Sequence, residues 1–302
     1  MKMTSHIDPD NWKKQRNKRL TILFGCLAVL AFAGLSVFLL LRWILPAAAY
    51  RKAESAYSNG RLPEAIDLFA SAGPYRNAVE RASKLAFAAQ KNSSFGDALR
   101  NSQAGDLVAF GLYEQDDNPE DGAEPILWRI ILKKPDRVLL LSEYVLEEMA
   151  YHQAFQEITW EQCSLRAWAN GSFLKTAFSK EERLLIIKTT LKNDNNPVSG
   201  AKGGNDTSDR IFLLSFDDLI AAARESNLDV FSLEATATKS AAAHGLDTDP
   251  QTGSCCWWLR TPGKEASYVM YSDMSGLVLH YTRPNYPGYG FRPALWVFLP
   301  KD

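Results

Sequence analysis

Apolar and polar positions change their pattern three times along this chain. The first pattern is a run without a single charge, LTILFGCLAVLAFAGLSVFLLL, from Leu20 to Leu41. A helix rises about 1.5 Å per residue, so about 20 such residues cross a hydrocarbon layer of about 30 Å. A continuous helix also satisfies its own backbone hydrogen bonds in lipid. The run therefore predicts a transmembrane helix over residues 20–45, with Trp43 in the aromatic belt of the far interface. Lys2, Lys13, Lys14, Arg16, Lys18 and Arg19 precede it, whereas only Arg42, Arg51 and Lys52 follow closely. The positive-inside rule then leaves residues 1–19 as a cytoplasmic tail and sends the remainder outside. A cleaved signal peptide ending near Ala47-Ala48-Ala49 is the alternative, but its apolar core would span only about 7–15 residues. The expectation is a single-pass protein of the cell membrane, held in the bilayer by a signal-anchor.

The second pattern is helical and runs over residues 47–90. In AESAYSNGRLPEAIDLFASAG, Gly60 is placed to stop one helix and Pro63 to open the next. Small residues at Ala53 and Ala65 let the two helices approach, with Tyr57 and Phe69 filling the gap between them. Ala53, Tyr57, Gly60, Ala65 and Phe69 together resemble a tetratricopeptide-repeat hairpin. Only one unit is visible, followed by the helical stretch YRNAVERASKLAFAAQ. Repeats bury their apolar faces against neighbours, so a lone unit reads as a stalk. Residues 91–104, KNSSFGDALRNSQA, read as a polar link.

The third pattern fills residues 105–302. Short runs such as DLVAFGLY, PILWRIILKK, RVLLLSEYVL, YVMYSDMSGLVLHY and RPALWVFL are rich in β-branched and aromatic residues and are bounded by Gly, Pro and Asp. They read as strands. Between them the spacing turns helical, in TWEQCSLRAWANGSFLKTAF, in a helix capped by Ser179 with Glu182 three residues on, and in one capped by Ser215. The fold class is therefore α+β, with strands at both ends and helices in the middle. Composition adds little: of 302 residues 46% are hydrophobic and 23% charged, and the net charge is −1. No basic stripe with interleaved aromatics appears beyond the N-terminus, so nucleic acid is not an expected partner.

The segments FGLYEQD, EPILWRII, LLLSEYVL, TWEQCSLRAWANGSF, DRIFLLS, WWLRTPG and GFRPALWV resemble, in this order, a bacterial extracytoplasmic module, domain of unknown function 6273, from about Gly105 to Pro300. The family brings an architecture and a location but no reaction. The WWLR strand and the closing G-F-R strand also look like C-type-lectin-like and formylglycine-generating-enzyme-like domains. That resemblance implies that Trp257 and Trp258 alternate across a central strand. It also implies that Arg260 and Arg292 are fixed donors to carbonyls or carboxylates, and that Gly290 allows close backbone approach. Trp128, Trp160, Trp168, Trp258 and Trp296 read as core.

The chemical candidates are few. Cys163, Cys255 and Cys256 follow the apolar run; adjacent cysteines bridge each other poorly, so a disulfide of Cys163 with Cys255 or Cys256 is one reading and a buried unpaired set the other. Proline stands in GFRPAL where a redox cysteine of formylglycine-generating enzymes would be sought. His6, His152, His244 and His280 hold no zinc spacing, so no metal site and no cofactor is expected. Asn193, Asp194, Asn195, Asn196, Asn205, Asp206 and Asp209 make one oxygen-rich loop, a candidate for calcium that a flexible loop explains equally. EQDDNPEDGAEP reads as a solvated acidic hairpin loop, with Asp121-Gly122 at its tip. Tyr268, Tyr271, Tyr281, Tyr286 and Tyr289, among Gly, Pro and Ser, form the candidate ligand surface, since rigid aromatics on polar loops suit a protein, peptide or glycan. The expected function is non-catalytic recognition or scaffolding outside the cytoplasm. The alternatives are an enzyme using the external cysteines and a structural partner of another membrane protein.

Overall fold

The computed structural model describes residues 43–90, 94–226 and 234–299. Its helices begin with α1 (Leu45–Ser58), α2 (Leu62–Ser71) and α3 (Ala78–Gln90). Gly60, at φ +73°, turns the chain out of α1 in the left-handed conformation that only glycine adopts without cost. Pro63 then lies in the first turn of α2, where a missing N–H costs nothing. Ala53 and Ala65 are fully buried. The aromatic partner of Phe69 is Tyr50, their ring centroids 5.2 Å apart, whereas Tyr57 is exposed beneath the Arg81 guanidinium. The buried stripe of α1 is Tyr50, Ala53 and Ala56, and Tyr57 lies about 100° further round the helix.

The expected architecture of a membrane span followed by a stalk needs correction. Among the described residues no helix is long and apolar enough to cross a membrane. The predicted span, residues 20–45, lies outside the described residues except for Trp43, Ile44 and Leu45, which are exposed at the start of α1. The helices that follow do not stand alone as a stalk. They form a layer, with α3 packed on strands β1 (Leu107–Tyr113) and β2 (Glu124–Lys133). Within the segment read as a polar link, Phe95–Asn101 is a fourth helix, α4, opened by a capping box between Ser94 and Asp97. Phe95 stacks on Phe110 of β1, centroids 4.3 Å apart. At its other end the Lys133 ammonium donates to the carbonyls of Leu99 and Arg100, each at 2.8 Å, and of Ser102. Those carbonyls have no partner within the helix, and a cation at a helix C-terminus is favourable.

The fold is α+β. One antiparallel sheet has the order β1-β2-β3-β11, with β3 at Arg137–Ser142 and β11 at Ala294–Phe298. A second has the order β4-β10-β7-β8-β9, formed by Glu147–Glu148, Gly290–Phe291, Trp257–Pro262, Val269–Ser272 and Val278–Thr282. A two-stranded ribbon pairs β5 (Thr189–Leu191) with β6 (Thr207–Asp209). The chain crosses between the two large sheets at Arg292-Pro293, linking β10 to β11. The intervening segments are helical: α5 (Ser164–Trp168), a π-turn, α6 (Leu174–Ala177), α7 (Lys180–Leu185), α8 (Phe216–Ser226) and α9 (Lys239–Ala243). Ser179 and Glu182 form the expected capping box of α7.

Aromatic side chains fill the space these elements enclose. Phe291 of β10 meets Phe173 at 4.9 Å and Trp168 at 5.1 Å, and Phe173 in turn meets Phe178 at 6.1 Å. Trp128, Trp160, Trp257 and Trp258 are fully buried, while Trp168 and Trp296 are partly buried against the core. A buried indole N–H needs an acceptor. Trp128 donates to the Phe110 carbonyl at 2.7 Å, Trp160 to Asp209 at 3.0 Å and Trp258 to the Met149 carbonyl at 2.8 Å.

Candidate functional site

The stretch SCCWWLRTPG leads into β7, third of the five strands of its sheet. Neighbouring side chains on a strand point to opposite faces. Trp257 lies beneath the Arg292 guanidinium, 4.8 Å from its ring centroid, and Trp258 packs on Tyr151 and Tyr289. Arg292 donates to the Ser142 carbonyl at 3.0 Å and to that of Glu143 at 3.4 Å, tying β3 to the crossing between the sheets. Complete burial lowers its pKa to about 10. Arg260 donates to the carbonyls of Leu213 at 2.9 Å and Lys192 at 3.2 Å, and it pairs with Asp218. Gly290 has no room for a side chain: a Cβ there would lie 2.1 Å from Val145. These residues build the frame, and the terminal nitrogens of Arg260 are engaged with protein.

Cys163, Cys255 and Cys256 are free and buried. The Cys163 sulfur accepts from the Arg166 N–H at 3.4 Å, and the Cys255 thiol donates to the Ala235 carbonyl at 3.3 Å. Burial pushes all three thiols up, Cys163 to about 12. An activated nucleophile requires the reverse shift. His152 accepts from the Ser164 N–H, and His244 pairs with Glu147 at 2.9 Å, which raises its pKa.

The oxygen-rich loop is largely committed to protein partners. Asn196 accepts from the Val198 and Ser199 N–H groups and donates to the carbonyls of Pro262 and Gly263. Asn193 donates to the Asn205 carbonyl at 2.7 Å, and Asp209 pairs with Arg166 at 2.8 Å. The loop thus fastens the β5–β6 ribbon to the end of β7.

The five tyrosines divide into four and one. Tyr271 lies 4.8 Å from Tyr289 and 6.0 Å from Tyr281, and Tyr286 lies 4.9 Å from Tyr289 (ring centroids). Trp258 anchors the array from below, 5.0 Å from Tyr289. The array runs from buried Tyr271, through half-buried Tyr289, to Tyr281 and Tyr286 at 52% and 41% exposure. Tyr271 lies on β8 and Tyr281 on β9, and the turn before β10 carries Tyr286 and Tyr289. The Tyr286 hydroxyl donates to Asp247 at 3.3 Å. Burial pushes Tyr289 up to about 12 and raises Tyr271, with hydrogen bonding from Tyr289 and Tyr281 adding to the shift. The hydroxyls of Tyr271, Tyr286 and Tyr289, all shifted upward, therefore stay protonated near neutrality. Tyr268 lies apart, edge-on to Phe155 and beside the Lys264 ammonium.

Sequence reasoning missed a second feature, in the acidic β1–β2 connection. Glu124 is buried at 3% exposure, and Gln115 equally so. Gln115 donates through its backbone to Glu124 at 2.9 Å, and through its amide to the carbonyls of Tyr113, Glu124 and Pro125. These contacts draw the loop inward against α9, whose Ser240 N–H donates to the Gln115 carbonyl. A cavity of about 130 Å³ opens there, between the turn after α2, the acidic connection and α9. The alternation leading into β2, with Glu124 directly before the apolar run, was the available signal.

A family model described as domain of unknown function (DUF6273) matches residues 135–299. No curated protein and no solved structure matches the chain. The likeness to C-type-lectin-like and formylglycine-generating-enzyme-like domains accordingly rests on sequence motifs alone.

Proposed function

Because the chain belongs to the domain of unknown function DUF6273 family, we propose that it is a non-catalytic recognition protein whose ligand surface is the array of Tyr271, Tyr281, Tyr286 and Tyr289. The observation that carries this reading is a graded aromatic surface: two exposed rings packed on two inner ones, of which Tyr289 rests on the fully buried Trp258. Rings held in this way offer contact area with little conformational entropy left to lose. Their hydroxyls and the Asp247 carboxylate add donors and an acceptor at the rim. Exposed ring faces beside a carboxylate suit sugar C–H faces and hydroxyls, so a glycan is the ligand class favoured.

The upward shift of every described thiol supports the non-catalytic side of this reading over a cysteine enzyme. The test is a glycan array, run beside a peptide array with the full chain. Reproducible capture of a set of related glycans is expected. Capture of none, or capture unaltered in the Tyr281→Ala/Tyr286→Ala variant, overturns the assignment of this face.

A further inference from the structure

Where the β5–β6 ribbon ends, an open pocket of about 300 Å³ lies between it and the segment formed by α5 and the π-turn. Its lining includes Arg166, Lys188, Arg210, Asp209, Asn170 and Ser208. Three cations and one carboxylate thus meet in one small space, and the carboxylate is already taken. Asp209 accepts from the Arg166 Nε at 2.9 and 3.0 Å and from the Trp160 indole at 3.0 Å, and the Arg166 Nη2 lies 2.8 Å from it. Arg166 also donates to the Glu161 carbonyl at 2.8 Å. The Arg166–Asp209 pair is neutral as a unit, which leaves the charges of Lys188 and Arg210.

Among the described residues neither Lys188 nor Arg210 forms an ion pair. The Arg210 Nε is moreover buried without an acceptor. A guanidinium has only donors and cannot be deprotonated, so its partner has to come from outside the chain. The ribbon register pairs Thr189 with Asp209, which places Lys188 and Arg210 at the next opposed positions. Like charges set opposite each other destabilise a strand pair, so an anion suits this place better than water does. The backbone at Arg210 is held for the purpose. The Asn170 side chain accepts from the N–H groups of Arg210 at 2.9 Å and Ile211 at 3.2 Å, and donates to the Ile211 carbonyl at 2.8 Å. Asn170 itself lies in the π-turn, Ala169–Phe173, a rare local structure that recurs at functional sites.

We propose that Arg210 and Lys188, with the Ser208 hydroxyl beside them, bind a phosphate dianion, either free or as a monoester. A phosphate monoester carries about −1.5 to −2 charges near neutrality, which matches the two unpaired cations. A single carboxylate would leave one of them unmet. The arginine fork suits two phosphate oxygens at once, and the lysine adds a point charge. The pocket is at the lower end of the range for small-molecule sites, about 300–1,000 Å³, so it has room for a small phosphorylated molecule. The site rests on none of the residues of the tyrosine surface.

Isothermal titration of the full chain at low salt tests it, with sodium phosphate in one arm, glycerol phosphate in a second and sodium acetate at matched ionic strength as the control. One saturable site with Kd of about 1 mM or tighter is expected from two charge-assisted contacts. The melting temperature should rise with phosphate and not with acetate. Tighter binding of glycerol phosphate than of phosphate marks a monoester as the ligand, and the reverse order marks the free ion. Arg210→Gln should weaken binding at least about tenfold, the loss of one charge-assisted contact. Lys188→Gln changes an exposed side chain; it should weaken binding too, and melt no lower than the phosphate-free parent because it removes a like charge. Absence of heat and of a melting shift at about 10 mM phosphate, ten times the weakest expected Kd, overturns the site. So does parental affinity in both variants, and so does acetate binding as tightly as phosphate.

Discussion

Arg292 joins distant parts of this molecule, touching the end of β3, the crossing between the sheets and the Trp257 ring. Replacing it with alanine leaves the Ser142 and Glu143 carbonyls without that donor in a buried place. At about 1–3 kcal/mol for each orphaned acceptor, Arg292→Ala should lower stability by about 2–5 kcal/mol in urea unfolding, and a loss under about 1 kcal/mol would contradict the role given to it. The cysteines give a second test at this scale. Their folded-state pKa values are raised, so the folded chain holds its thiol protons more tightly than the unfolded one. The associated stability is complete below about pH 8.5, the ordinary thiol value. It is lost as pH rises toward the value of about 12 for Cys163. In a Cys26→Ser background, Cys163 and Cys255 should be inert to a thiol reagent at pH 8 until the chain is denatured; rapid reaction of the folded protein would revive a cysteine enzyme. The sequence made some residue roles readable and others not. The Ser179–Glu182 box is a local pattern with one structural solution. Tyr50 and Tyr57, by contrast, compete for one gap, and the choice depends on helix rotation, which no local pattern sets.

At the scale of elements, the link between the helices and the strands is where the sequence misled most. Residues 91–104 look like polar linker because α4 has only seven residues and one fully buried side chain, Leu99. Its legible signal was the spacing Ser94-x-x-Asp97, a capping pattern with aspartate in place of the usual glutamate. Its other support, Lys133, lies far along the chain and could not be inferred locally. Lys133→Met keeps the apolar stem but removes the donor to three carbonyls at the end of α4. A loss of about 2 kcal/mol is expected from the charged hydrogen bonds and the helix end together. Hydrogen exchange should show α4 opening first in this variant, and unchanged protection there would contradict the anchoring role. The strands were easier to place, because β2 and β3 are mainly apolar runs. The crossing at Arg292-Pro293 was invisible, since sheet membership depends on partners far apart in sequence.

For the whole molecule, the family match and the fold have different edges. The match begins at residue 135, within the turn before β3, yet β1 and β2 complete the same sheet and carry the helical layer. Binding experiments therefore belong to the full chain, not to a fragment cut at the family boundary. The aromatic content of the stretch from Tyr268 to Tyr289 was plain in the sequence. Its division into an array of four and a separate Tyr268 was not, because it depends on how β8, β9 and the turn before β10 return past Trp258. The Glu124–Gln115 pair was equally hidden, since an acidic loop looks solvated until its backbone contacts draw it inward. The account as a whole rests on the tyrosine array being the ligand surface. The most direct test is titration of the best array ligand into the parent chain and into Tyr281→Ala/Tyr286→Ala. The account predicts at least a tenfold loss of affinity, about 1.4 kcal/mol, with the melting temperature unchanged because both rings are exposed. Equal affinity in the two proteins would contradict it.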